Sequence, residues 1–296
     1  MARNDLPGLY RAASDTSRRG QKTHIRLTRL RLSMAILAAL AGTLSTTSSI
    51  SPGSRRIYAS FSIAFFTGAL VAEILLLKER PDRSWYGGRA LAESIKTLAW
   101  RFSVCSAPFP KEMQLDEAER LFRRKLRELL SLHSVRLMSN VDPLVTENMA
   151  AIRASSLSER MECYIKYRID AQCVWYADNS NKSERAAKRW KILLLLLEAL
   201  GLVTALLVLL DYSFLDFSGV LAALIIAGVA WVEVRQFDSV AEAYALTSLE
   251  LSLIRHSVAE VSTEQSWSTY VHSAEQGISR EHTMWLAKRS GARNAF

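Results

Sequence analysis

The chain has 296 residues, with 38 Lys and Arg against 29 Asp and Glu, and its 49% hydrophobic content is an ordinary average for a soluble protein. That average conceals four concentrated apolar runs, which exclude a purely soluble domain, a disordered tail and a secreted disulfide scaffold. Three cysteines, Cys105, Cys163 and Cys173, are an odd number outside those runs and suit reduced thiols in cytosol.

Residues 1–31 carry eight Lys and Arg over a polar stretch. The run that follows has span length and no small-residue cleavage pattern, so the start is not read as a signal peptide. The runs cover residues 32–50, 57–77, 192–210 and 214–232 and contain three charges, Glu73, Glu198 and Asp216. A helix needs roughly 20 mostly apolar residues to cross a bilayer core. Buried core helices of a soluble fold would have to be apolar all round, as only the third run nearly is. The first is the most polar and ends in TLSTTSSI. Its hydroxyls can bond the carbonyls of their own helix, which keeps a crossing feasible.

The spans pair into two hairpins, joined by residues 51–56 and 211–213. Six Lys and Arg fall in residues 12–31, five in 78–97 and five in 172–191. The first turn holds only Arg55 and Arg56, the second holds acidic Asp211, and only Arg235 follows span four closely. The positive-inside rule predicts both termini and residues 78–191 in the cytoplasm.

All six prolines fall at or before Pro143, as long uninterrupted helices downstream require. Leu115, Ala118, Phe122, Leu126, Leu129 and Leu132 predict an amphipathic helix, with Asp116–Arg120 and Glu119–Arg123 on its polar side. Asp142-Pro143 reads as a helix start. One helix is predicted from about Leu157 through Trp175 into span three, and another from span four to about His272. The class is an all-α membrane protein: two transmembrane helical hairpins (four spans) with long cytoplasmic helices. Residues 1–140 form the first two-span unit and 141–296 the second.

The halves resemble one unit repeated. Tyr10, Ser14, Ser17, Arg19 and Lys22 match Tyr176, Ser180, Ser183, Arg185 and Lys188 at a constant offset. After each hairpin comes a related pattern, Ala90 to Arg101-Phe-Ser-Val104 and Ala243 to Arg255-His-Ser-Val258.

Small residues recur every four positions in the spans: Ser60, Ala64, Gly68 and Ala72 in the second, Gly219, Ala223 and Ala227 in the fourth. Such stripes let helices approach closely in lipid, within one hairpin or between subunits. Glu73 and Glu198 lie at similar depth and are pore-lining candidates, able to form an acidic ring in an oligomer. Alternatively Glu73 reaches Lys78, and Glu198 pairs with Lys191 or snorkels outward. Trp85, Arg89, Lys96, Trp100 and Arg101 form a cluster suited either to an anionic or nucleotide ligand or to lipid headgroups. The five histidines are isolated from one another and from cysteine pairs, so no metal is expected. The sequence carries no HExxH, Walker-type loop, GxSxG, GxGxxG or CxxC motif, so neither catalysis nor a cofactor is expected.

The stretch Trp85-Tyr-Gly-Gly-Arg-Ala-Leu-Ala-Glu-Ser-Ile-Lys-Thr97, with Trp100-Arg101 and Pro108-Phe109, resembles one branch of the bacterial SLATT domains, as does the opening Tyr10-Arg-Ala-Ala-Ser-Asp-Thr-Ser17 with Gln21. Arg168-Ile-Asp-Ala-Gln172, Trp175-Tyr176 and Asn181 resemble another branch. The resemblance covers residues 8–275. It implies a two-span unit with a long cytoplasmic helix, found alongside nucleotide-second-messenger synthases or sensors in bacterial antiviral defence, whose members are proposed to oligomerise into pores. It brings no catalytic or ligand residues, and this chain departs from the simplest members by fusing two units. The function expected is an oligomeric pore-forming effector of the bacterial inner membrane; the alternative is a non-conducting membrane scaffold or signalling adaptor. The expected partners are the lipid bilayer, further copies of the chain and an upstream nucleotide-signalling protein, and no nucleic acid.

Overall fold

The structure, a computed structural model, describes residues 1, 3–47, 50–132, 137, 143–210 and 217–291, with side chains described as far as Ser279, Arg3 excepted. Within these residues the regular structure is all helix, with no strand. Helix α1 is Gly8–Thr46, α2 Pro52–Glu79, α3 Pro81–Ser103, α4 Leu115–Leu132, α5 Glu147–Ala154, α6 Leu157–Tyr164, α7 Ala171–Leu209, α8 Ser218–Arg235, α9 Phe237–His256 and α10 Glu264–Gly291. The turn at 211–213, Asp216 and Asp142 lie outside the described residues.

Local chemistry sets these boundaries. Ser51 caps α2, its hydroxyl accepting the Ser54 N–H at 3.3 Å, and Pro52 fills the first turn, where no donor is needed. Thr146 caps α5 and a Ser156/Glu159 capping box opens α6. The predicted amphipathic helix runs over Leu115–Leu132, with Ala118, Phe122 and Leu126 buried, while Leu115 and Leu132 at its ends are exposed. A π-helical segment, Ile165–Asp170, joins α6 to α7, so the backbone stays helical from Leu157 to Leu209, as expected.

The helix expected from span four to about His272 is instead broken twice. Gln236 takes the left-handed conformation (φ 50°) at the end of α8, and Val261 is extended after a short 3-10 turn, Ser257–Glu260. Hydroxyls explain the second break: Thr263 accepts the Ser266 N–H at 3.1 Å while Ser266 accepts that of Thr263, which restarts the chain as α10.

Four helical stretches, Gly8–Thr46, Pro52–Ser103, Leu157–Leu209 and Ser218–Glu260, are long and apolar enough to cross a membrane, which makes this a multi-pass membrane protein. The chain divides into two compact units, each drawn from both halves of the sequence. One comprises Lys22–Pro81 and Lys182–Val240, the later parts of α1 and α7 with the whole of α2 and α8. In it Ser62 donates to the Ala38 carbonyl at 3.0 Å, Ala72 is buried, and the guanidinium groups of Arg29 and Arg235 each lie over the Trp231 ring, at 5.0 and 5.8 Å.

The other unit comprises Met1–Gln21, Asp82–Asn181 and Ala241–Phe296. Helix α3 is its centre and buries two faces. Leu91, Ile95 and Phe102 enter one core with Phe109, Phe122 and Met149. Trp100 and Val104, about half a turn away at 3.6 residues per turn, enter a second with Tyr164, Leu251 and Trp267. A buried Arg153 sits beside the first core and donates to the carbonyls of Phe102, Phe109, Pro110 and Met113, satisfying acceptors left open past the end of α3. Burial holds Arg153 below the usual arginine value.

Candidate functional site

The second span of each hairpin ends in the same way. Arg80 after α2 and Gln236 after α8 are left-handed, and each backbone N–H still reaches four residues back, to Leu76 and Val232. Five residues beyond each break a serine from the helix leading into that hairpin docks on a carbonyl: Ser17 on Trp85 and Ser180 on Ala241, both at 2.8 Å. Eight residues beyond the break the halves part. Gly88 stands in the first, where an added Cβ would come within 2.8 Å of the Ser17 backbone nitrogen. Tyr244 stands in the second, its ring packed on Trp175 and Tyr176 at 5.2 and 5.4 Å and its hydroxyl 3.4 Å from Arg89.

Between the leading helices of the two halves, within this unit, lies a cavity of about 280 Å³. Tyr10 and Tyr176, equivalent in the repeat, both line it. Its cations are Arg18, Arg89 and Lys96, set against one carboxylate, Glu93. Trp85 and Trp175 add two indoles, and Gln21 and Gln172 add two amides. Residues 85, 89, 93 and 96 share a strip of α3 that runs into the second core face, which is why one helix both anchors the unit and furnishes the site. Burial pulls Lys96 below the usual lysine value, opposed by the Glu93 carboxylate at 2.7 Å; its ammonium also lies 5.8 Å from the centre of the Tyr10 ring.

Of the five ligand or headgroup candidates, Trp85, Arg89 and Lys96 meet here. Trp100 is buried in the second core, edge-on to Tyr164 at 5.5 Å, and Arg101 does not line the cavity. Tyr10, Arg18 and Gln172 were not among the candidates. The repeat offset that pairs Tyr10 with Tyr176 is a signal for Tyr10, but it marks neither Arg18 nor Gln172.

Beside the cavity, next in sequence to Lys96, Thr97 opens a buried polar network. Its hydroxyl donates to Glu275 at 2.7 Å; Tyr164 donates at 2.9 Å, and Arg168 donates twice, at 2.9 and 2.7 Å. The Arg168 and Glu275 side chains are 1% and 0% exposed. Burial raises the Glu275 carboxyl, but the Arg168 charge and these hydrogen bonds outweigh it and hold the group below the usual carboxylate range. Burial likewise disfavours charged Arg168, and Glu275 more than compensates. Arg168 lies in the π-helical segment, whose extra residue per turn sets the register of Gln172, Trp175 and Tyr176 on the cavity. Sequence inspection picks out Arg168 through the motif it opens; Glu275 stands in a polar stretch of α10 with no pattern to mark it.

In the membrane-spanning unit Glu73 pairs with Arg31 across the first hairpin, rather than with Lys78. Lys191 pairs with Asp238 at 2.9 Å. Glu198 lies exposed among the exposed Leu195, Leu196, Leu200 and Leu202. The small-residue stripes are placed unevenly. Gly68 packs on Met34 and Ala72 is buried, but Ser60 and Ala64 are exposed; Ala227 is buried, Ala223 half-buried and Gly219 exposed with open space around it. A four-residue repeat advances 400° and so drifts about 40° per step round a helix, which carries one end of each stripe off the contact. Gly228, outside the stripe, packs so closely that an added Cβ would come within 2.8 Å of Leu194.

Residues 7–161 match the family model described as SMODS and SLOG-associating 2TM effector domain 3, and residues 164–285 match SMODS and SLOG-associating 2TM effector domain 1. No curated protein and no solved structure matches the chain.

Proposed function

We propose, for a chain that belongs to the SLATT family of two-span effector domains and carries two of them in tandem, that it is an oligomeric pore-forming effector of bacterial defence, switched on by nucleotide second-messenger signalling through its cytoplasmic helices. It works without catalysis, in the bacterial inner membrane, with both termini and residues 78–191 on the cytoplasmic, Lys- and Arg-rich side.

The observation that carries this reading is the surface of the third span. The apolar window of Leu157–Leu209 has none of its residues buried inside the chain, and Glu198 stands on it among exposed leucines. Lipid satisfies the leucines. It does not satisfy a carboxylate, which in a bilayer belongs in a bundle interior or a watery passage. Packing several copies around that helix supplies both, and a ring of Glu198 carboxylates favours cations.

The test is ion flux from vesicles reconstituted with the full-length protein. Flux that rises with oligomer, with cation preference reduced by Glu198→Gln at unchanged oligomer size, is the expected result. A non-conducting scaffold or adaptor is the alternative, favoured by the Arg31–Glu73 pair, which neutralises the other carboxylate of the supposed ring. Absence of flux with stable oligomers under every trigger decides for the scaffold.

A further inference from the structure

We infer that the cavity between Tyr10 and Tyr176 is a binding site for a nucleotide, held by its phosphate on Arg18, Arg89 and Lys96 and by its base on the exposed face of Trp175. The inference deepens the effector reading, since it concerns the trigger, but binding to the cavity is measured apart from flux and each can fail alone.

Charge is the first argument. Three cations face one carboxylate, Glu93, leaving an excess of two positive charges, about the charge of one terminal phosphate. They come from two helices, Arg18 from α1 and the others from α3, so they converge on a volume rather than decorate one face. Lys96 is held where burial disfavours its charge, with a carboxylate three residues back on its own helix as its ion-pair partner. A ligand phosphate arriving there adds the countercharge that desolvation makes valuable.

The walls are the second argument. A site for inorganic phosphate or a lipid headgroup needs cations and donors; it has no use for four aromatic rings. Tyr10, Trp85 and Tyr176 are half-buried or buried, whereas Trp175 is 42% exposed at the lip and braced by edge contacts with Tyr176 and Tyr244. A braced, solvent-facing indole is a ready stacking surface for a base. Gln21 and Gln172 each offer an amide, able to donate and accept at the edge of a heterocycle. The volume of about 280 Å³ lies at the lower end of ligand cavities and fits one nucleotide unit, either a mononucleotide or one half of a dinucleotide.

The experiment is isothermal titration of the full-length protein in detergent with the four 5′-mononucleotides, cyclic AMP, cyclic GMP, cyclic di-AMP and cyclic di-GMP, with inorganic phosphate as the ringless probe. At least one nucleotide binds saturably and more tightly than phosphate. Arg18→Gln and Lys96→Gln each weaken it about tenfold, the loss of one charge-assisted contact. Trp175→Ala weakens the nucleotide about tenfold while leaving phosphate binding unchanged. Arg18 and Trp175 are exposed, so unfolding does not confound these variants, and melting temperatures confirm it. Vesicles of phosphatidylglycerol do not compete. The inference is overturned if none of the nucleotides saturates at millimolar concentration, if phosphate binds as tightly, if Trp175→Ala is silent, or if phosphatidylglycerol displaces the nucleotide.

Discussion

The two halves leave their hairpins by the same turn and then close in opposite manners. In the first, Gly88 lets α3 and α1 meet backbone to backbone around Ser17. In the second, Tyr244, the same eight residues past the break, wedges a ring against Trp175 and Tyr176 and reaches Arg89. The second half also carries the buried ion pair, Arg168 with Glu275, while its neighbour in the first half contributes Thr97. A duplicated unit has thus kept its connections and diverged at the contacts that shape the space between its copies.

Breaking the buried pair has the largest expected effect. Arg168→Met strands Glu275 without a countercharge and costs about 3–5 kcal/mol, read from denaturant unfolding in detergent. Pairing it with Glu275→Met restores most of the loss, because neither charge is then left buried alone. A double variant as unstable as the single would mean that the pair is not what joins these helices.

Acid probes the same contact without mutation. Folded Glu275 holds its proton less tightly than the unfolded group at about 4.5, so the pair's contribution is complete above that pH. It is lost as pH falls through the lower, folded value. Melting temperature should drop on acidification below 4.5, and Glu275→Gln should flatten that part of the profile; an unchanged slope refutes the assignment.

The glycine closure comes next. Gly88→Ala sets a Cβ against Ser17 and Ala13 backbone atoms, which cannot swing aside, and destabilises by about 1–3 kcal/mol. Tyr244→Phe keeps the ring wedge and loses only the hydroxyl contact with Arg89, for about 1 kcal/mol or less. If the two changes cost the same, the contrast between the halves is not energetic.

The smallest effect tests what the halves share. Arg80→Gly and Gln236→Gly each relieve a left-handed residue at some cost in chain entropy, so both shift stability by less than about 1 kcal/mol and in the same direction. Opposite signs would show that the two breaks are not equivalent.

The long-range pattern was legible because it is written in periodicity. Four apolar runs set the spans, and the leucine spacing over 115–132 set α4. The breaks at Gln236 and Val261 were not legible, since a left-handed glutamine has no sequence mark and the hydroxyls of Thr263 and Ser266 only act as caps once the chain has turned. The site was half legible. A basic and aromatic cluster on α3 announced Arg89 and Lys96, but its other wall comes from residues more than sixty positions away, and only the fold joins them. Trp100 has the right chemistry and the right angle, but it stands a turn beyond Lys96 along α3, where that strip enters the second core.

Glu275 accepts four hydrogen bonds, one from Thr97, one from Tyr164 and two from Arg168. That is the full capacity of a carboxylate. Every donor is on a different turn of helix or a different helix, so the four bonds act together as a key cut for one alignment. Sliding α10 by a single residue would forfeit all of them at once, leaving a bare charge in a dry interior. The carboxylate therefore fixes where along its length α10 can rest, adding a polar register to the one that buried Trp267, Val271 and Ile278 set by packing.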